Sequence, residues 1–383
     1  MRLKQLDILR AVAILLVLGR HHYLVESWHR VGWTGVDLFF VLSGFLISGL
    51  LFTEYKTHGR IRVGHFLIRR GFKIYPPFYV MIAWTTGMFL LYHNRVPWSR
   101  FFSEIFFVQS YFTPLWVPTW SLAVEEHFYL ALPILLLVFA RLSKDRVNPF
   151  SALPKLCLVV AVVVLGLRFL SVSSSAAFVM ERYSQTHLHV DSLLFGVLIS
   201  YFYHFRPADF QRFAQKRGVW LGAVCCLCVA PCFFLELERS YFIQTVGQTL
   251  LYLGYGSLLI LAVPLAGSSQ GPPIPILGRL GSWLASIGKY SYSIYLWHGP
   301  MQDWGLALLQ RKGLLPASRI AEFWIYFACS IILGVMMAKI VEYPALKIRD
   351  RLFPSRSGAV APAAEEAPPA VTGAIAAPDQ VTA

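Results

Sequence analysis

The stretch that most constrains this chain is its first apolar run, Leu6–Glu26 (LDILRAVAILLVLGRHHYLVE). It is long enough to cross a bilayer as a helix, yet it carries Arg10, Arg20, His21 and His22. A membrane helix needs about 20 residues at ~1.5 Å rise each, and ionisable groups at that depth are costly. They persist where they snorkel to an interface or serve a function. At ~100° per residue, Arg10 and His21 lie within about 20° of each other around the axis and roughly 16 Å apart along it. One helix face therefore presents a permanent cation near one end and a titratable imidazole near the other. His22 is turned ~100° away.

The rest of the chain supports a membrane setting. Of its 383 residues 56% are hydrophobic and only 14% are charged, more apolar surface than a soluble fold of this size could cover. Apolar runs near residues 6–26, 34–54, 77–93, 119–141, 155–171, 190–205, 219–236, 242–266, 284–305 and 320–343 predict an all-α polytopic membrane protein with about ten transmembrane helices. Segment 101–113 is apolar but short, and reads as a re-entrant or interfacial piece. The net charge of +14 sits in short loops, which argues for membrane topology and against nucleic-acid binding. With the N-terminus inside, 23 Lys and Arg fall in cytoplasmic segments, 8 in outer loops, and Arg10, Arg20 and Arg168 in spans. This bias predicts an N-in/C-in arrangement, with Arg10 toward the cytosol and His21 toward the outer face. No cleavable signal peptide is apparent at the start. The six cysteines lie in apolar runs and read as small hydrophobes, not disulfides or metal ligands. The expected organisation is a membrane domain over residues 1–352 and a disordered, Ala- and Pro-rich cytoplasmic tail over 353–383.

Polar groups inside the runs outnumber what packing needs. The loop Tyr55–Pro76 is the most basic, with Lys56, Arg60, Arg62, Arg69, Arg70 and Lys73; helical spacing lets Arg70 and Lys73 face one ligand. Topogenic charge and anionic-lipid contact would explain such a loop equally well. The second span places Asp37 near its outer end and Ser43-Gly44 at mid-membrane, where small residues also allow close helix approach. The fourth opens TWSLAVEEHFYL, with Trp120 at its start and Glu125 and Glu126 two turns in, pointing ~100° apart. The ninth, YSYSIYLWH, carries Tyr292 and His298 in an aromatic run that an interfacial belt would also produce.

Taken in order, LDILRA…H, GVDLFFVLSGFLI, FLIRRxxKIYP, TWSLAVEEHFYL, YSYSIYLWH and VEYPALKIRDRL resemble the acyltransferase-3 family of integral membrane acyltransferases. Each motif alone is weak; six in register over residues 3 to about 352 are specific. The resemblance implies about ten spans, and acyl transfer from cytosolic acyl-CoA to a glycan, lipid or small molecule. The family's Arg-ten residues-His signature falls on Arg10 and His21. Its Arg-x-x-Arg signature falls on Arg70 and Lys73, where lysine keeps the charge but loses the planar fork. His189 stands where the family often carries arginine. Arg20, directly before His21, and Ile8, in place of a glycine, are further departures. Some members carry an added SGNH-type domain; none is expected here, so an acyl hand-off would need a separate periplasmic acyltransferase.

On this resemblance the donor is acyl-CoA, with acetyl-CoA the first choice, and no permanently bound cofactor or metal is expected. Arg10, Arg69, Arg70 and Lys73 would hold it, the phosphates at the basic loop and the pantetheine arm between helices. His21 would either deprotonate an acceptor hydroxyl, the route we favour, or carry the acyl group itself. Asp37 or Glu125 would orient its imidazole, and Ser43, Trp120, Glu126, Tyr292 and His298 would contact substrate or support the site. The acceptor would be a carbohydrate or lipid-linked glycan met from the outer side, in the inner membrane of a bacterial cell. The competing reading is a multi-pass transporter or flippase. A metal site from His21, His22 and His29, or from His187 and His189, matches no familiar zinc spacing.

Overall fold

The computed structural model describes residues 3–92, 96–173, 182–265 and 275–355, and among them there is no strand. The helices that matter for the site are α1 (Lys4–His21), α2 (Glu26–Val31), α3 (Gly35–His58), α4 (Val63–Tyr92), α5 (Trp98–Ile105), α6 (Trp120–Leu142), α7 (Leu153–Ser173) and α8 (Val190–Phe205). Beyond them come α9 (Pro207–Lys216), α10 (Gly218–Val229), α11 (Pro231–Phe234), α12 (Gln248–Leu265), α13 (Pro275–Lys289) and α14 (Ser291–Pro300). The described chain closes with α15 (Leu306–Arg311), α16 (Arg319–Met337) and α17 (Tyr343–Leu352).

The centre is the pair α3 and α8, whose backbones touch. A Cβ on Gly44 would stand 1.9 Å from the Leu193 carbonyl oxygen, and one on Gly196 2.2 Å from that of Val41. Small residues permit this approach, and van der Waals contact rewards it where lipid offers no hydrophobic driving force. α1 packs against α13 in the same manner: a Cβ on Gly288 would stand 1.7 Å from the Asp7 carbonyl oxygen.

Among the described residues, six helical stretches are long and apolar enough to span: Glu26–His58, Val63–Tyr92, Val117–Leu142, Leu153–Val172, Ile243–Pro264 and Arg319–Leu352. A seventh arises if α9 and the α10–α11 stretch, bent by 75°, count as one. The chain is thus a multi-pass membrane protein by these criteria, with fewer qualifying spans than the ten expected. The shortfall has local causes. α1 carries Lys4, Asp7, Arg10 and Arg20 within 18 residues. The expected span 284–305 is broken into α13, α14 and a π-turn at Met301–Gly305 that follows Pro300.

Two further segments bear on the site's surroundings. Segment 101–113 resolves into the end of α5 and an irregular strap. α5 buries Ser103 and Glu104 while exposing Trp98 and Phe102, with Phe106 exposed beyond its end, so its apolar side faces outward as an interfacial helix does. The packed region also runs past residue 352. The Phe353 ring lies 6.4 Å from that of His65 and 6.0 Å from that of Phe72, and its carbonyl accepts a hydrogen bond from Arg69. The remainder of the expected tail lies outside the described residues.

Candidate functional site

Two adjoining cavities, each of about 230 Å³, enter the helix bundle from the end where α4 begins. The outer one is lined by His65, Arg69, Arg70, Lys73, Arg349 and Glu54, which makes its mouth cationic. Leu50, Arg70 and Lys73 line both, so the inner cavity continues the first. It runs past Arg10 and Ser43, then Glu125, Tyr129 and Tyr292, to Ser121 and Tyr295. Apolar residues of one α3 face, from Val36 to Leu50, form its long wall.

Several polar groups of the inner cavity are paired. Tyr129 donates to Glu125 Oε2 at 2.9 Å and shares a hydrogen bond with the Ser43 hydroxyl. The Arg70 guanidinium lies 5.7 Å from the centre of the Tyr129 ring, a cation–π distance. Arg10 and Arg70 are both in electrostatic range of Glu125, the carboxyl group that lines this cavity. Its neighbour Glu126 faces another way and accepts from Tyr75, as adjacent helical positions must diverge. Tyr292 donates to the Ile74 carbonyl at 2.8 Å, tying α14 to α4.

Where Ser121 and Tyr295 line the inner cavity, the Tyr295 hydroxyl is 2.7 Å from both the Ser121 hydroxyl and the Pro118 carbonyl. Behind Tyr295 sit two imidazoles. The His298 ring centre is 5.5 Å from that of Tyr295 and 4.8 Å from that of His21. His21 itself does not line the cavity. Gln302, in the π-turn, donates to its backbone carbonyl at 2.8 Å and fixes that end of α1. His22 points elsewhere, against Tyr326 and with its Nε2 3.7 Å from Glu322.

The expected carboxylate partners of His21 are therefore placed differently. Glu125 is in the cavity. Asp37 is buried within reach of the Tyr183 hydroxyl at 3.5 Å, in electrostatic range of Arg168 and Asp191. The ring that touches His21 is His298. Trp120 is also away from the cavity: it packs on Phe40, Tyr183 and His189. His189 is fully buried in that aromatic cage and bonds through Nε2 to the Tyr183 carbonyl. At the mouth, Arg69 is already engaged by Asp350 at 3.1 Å and by the Phe353 carbonyl.

Reading from sequence missed the centre beside Asp37. Arg168 of α7 and Asp191 of α8 form an ion pair of 2.7 Å with both side chains almost wholly buried. Arg168 also bonds the Leu188 carbonyl and Thr249. Its signal was available: a lone arginine in an apolar run requires a partner, and Asp191 opens a neighbouring run. Glu104 was missed as well. Its Oε1 accepts from the Leu115 and Trp116 amides and from Thr119, so it fixes the strap that leads into α6; burial pushes its carboxyl up to about 7.

A family profile described as an acyltransferase domain matches residues 3–339. The chain is 29% identical over 371 residues to a peptidoglycan O-acetyltransferase, OatA, of Listeria monocytogenes, covering 89% of this chain and 55% of that protein. It is 30% identical over 320 residues to a putative peptidoglycan O-acetyltransferase of Bacillus subtilis, YrhL, covering 77% and 48%. A putative O-acetyltransferase of Staphylococcus aureus is 29% identical over 316 residues, covering 76% and 49%. The chain thus spans about half the length of these curated relatives. No solved structure matches it.

Proposed function

The chain belongs to the acyltransferase-3 family, and from that premise we propose that it moves an acyl group, acetyl in the first instance, from cytosolic acyl-CoA to a hydroxyl of a cell-envelope glycan on the other side of a bacterial inner membrane. The observation that carries this reading is the pair of adjoining cavities, which lead from a cationic mouth to the wall in front of two imidazoles. The nucleotide phosphates would lie at the mouth beside Arg69, Arg70, Lys73 and Arg349, where cations meet phosphate with charge-assisted hydrogen bonds. The pantetheine arm would fill the inner cavity along the apolar face of α3, with Arg10, Ser43 and Tyr292 as its polar contacts. The thioester would then stand near Tyr295 and Ser121. Outward movement of the Tyr295 ring would open the way to His298 and His21, where the acceptor hydroxyl loses its proton. The names of the relatives make peptidoglycan the first acceptor to try.

Sidedness tests the whole reading. Inverted and right-side-out vesicles containing the protein would receive acetyl-CoA and a glycan acceptor, neither able to permeate. Product and free CoA are expected only with the two on opposite sides, the donor on the side of the α4 mouth. Efficient transfer with both confined to the donor side would overturn it.

The mouth gives a second expectation. Arg70→Gln and Lys73→Gln should each raise the apparent KM for acetyl-CoA by roughly tenfold, about the value of one charge-assisted hydrogen bond, and leave the KM for acceptor unchanged. Steady-state kinetics with each substrate varied in turn checks this. A change confined to the acceptor would place the phosphates elsewhere.

A further inference from the structure

We propose that His298 is the proton-relay partner of His21, receiving through Nε2 the proton that His21 releases when it deprotonates the acceptor. This rests on the acyl-transfer reading above. Three observations carry it. His298 is 1% exposed, and its Nδ1 is held against the Tyr295 carbonyl. A carbonyl only accepts, so Nδ1 carries the proton of the neutral ring, and Nε2 is left with a lone pair. Among the described residues that Nε2 has no hydrogen-bond partner. A buried polar atom without a partner costs free energy, and its retention calls for an explanation.

The neighbouring ring supplies one. His21 is 4.8 Å away, centre to centre, at an angle of 54°. The segment carrying His298 continues into the π-turn, from which Gln302 holds the His21 backbone. One piece of chain therefore sets both imidazoles. Neither Asp37 nor Glu125 takes this place, since each is committed to its own cluster.

The step balances without further reactants. The acceptor oxygen bonds to the acyl carbonyl carbon, and its proton passes to one ring nitrogen of His21. The proton on the other His21 nitrogen passes to Nε2 of His298, which becomes the imidazolium. The carbon–sulfur bond breaks, and the proton returns along the same path to the departing thiolate. Both rings regain their starting tautomers, and the products are the acyl ester and CoA thiol. His298 touches neither substrate, so it acts through His21 as a positioning and relay residue.

Amide isosteres separate this role from a structural one. In His298→Asn the side-chain amide can still donate to the Tyr295 carbonyl, but nothing stands at Nε2. Purified protein in liposomes would be assayed with acetyl-CoA and peptidoglycan-derived oligosaccharides. The relay predicts that His298→Asn loses kcat by about 100-fold, with the KM for acetyl-CoA unchanged. It also predicts that added imidazole restores part of the kcat of His298→Ala. Asparagine retaining kcat within about threefold of wild type would overturn the relay, because the Nδ1 anchor alone would then suffice. So would loss of activity with a lowered melting temperature in both variants, or failure of imidazole to rescue an alanine variant that melts like wild type. If the wild-type protein itself transfers nothing to any glycan, the proposed function fails, and the relay with it.

Discussion

His21→Ala is expected to lose acyl transfer by roughly 10³-fold at equal abundance in the membrane, within the range that one general base contributes. The fold should survive the change. His21 is the last residue of α1 and is only partly buried, and what Gln302 holds is its backbone carbonyl, which alanine keeps. His22→Ala is the control one position along. That ring lies on Tyr326 and near Glu322, away from His298, and its loss should change kcat by less than about threefold. Turnover of labelled acetyl-CoA by each variant, normalised to protein, makes the comparison. Wild-type-like turnover in His21→Ala would remove the imidazole from the chemistry. A single-turnover experiment without acceptor adds the second distinction: labelled acetyl bound covalently at His21 would favour the acyl-histidine route over direct base catalysis.

Arg168→Leu should have the largest effect on the fold. The guanidinium pairs with Asp191 at 2.7 Å and also bonds the Leu188 carbonyl and Thr249, with essentially no solvent access. Removing one member of a buried pair leaves the other uncompensated and costs about 3–5 kcal/mol. Here two carboxylates, Asp191 and the nearby Asp37, would face each other without their cation. The leucine variant should therefore accumulate poorly and melt well below wild type in detergent. Replacing Asp191 by leucine in the same protein should recover much of the loss, because the stranded charge is gone. Equal melting of Arg168→Leu and wild type would mean the pair adds nothing to stability.

Much of this molecule is legible along the chain because membrane constraints act locally. Apolar length, the charges of Tyr55–Pro76 and the periodic placing of Arg10 and His21 need no tertiary knowledge. They point to an α-helical membrane protein, with one helix face carrying a cation and an imidazole, and the ordered motifs point to its family. Gly44 beside Ser43 likewise announces close helix contact, though it does not say with which helix; that partner is Gly196.

Partnership is what local reading could not supply. Asp37 is close to His21 in sequence and was expected beside it, but the approach of α3 to α8 turns it toward Tyr183 and the Arg168–Asp191 pair. Glu125 is similarly drawn into the cavity with Arg10 and Arg70 rather than to the imidazole. His298, nearly 280 residues from His21, becomes its neighbour because α14 ends at Pro300 and a π-turn folds Gln302 onto the end of α1. Helical periodicity settles which face of a helix a side chain occupies. Which other helix that face meets depends on where small residues let backbones close in and where buried charges find opposite charges, and those are properties of the packed bundle alone.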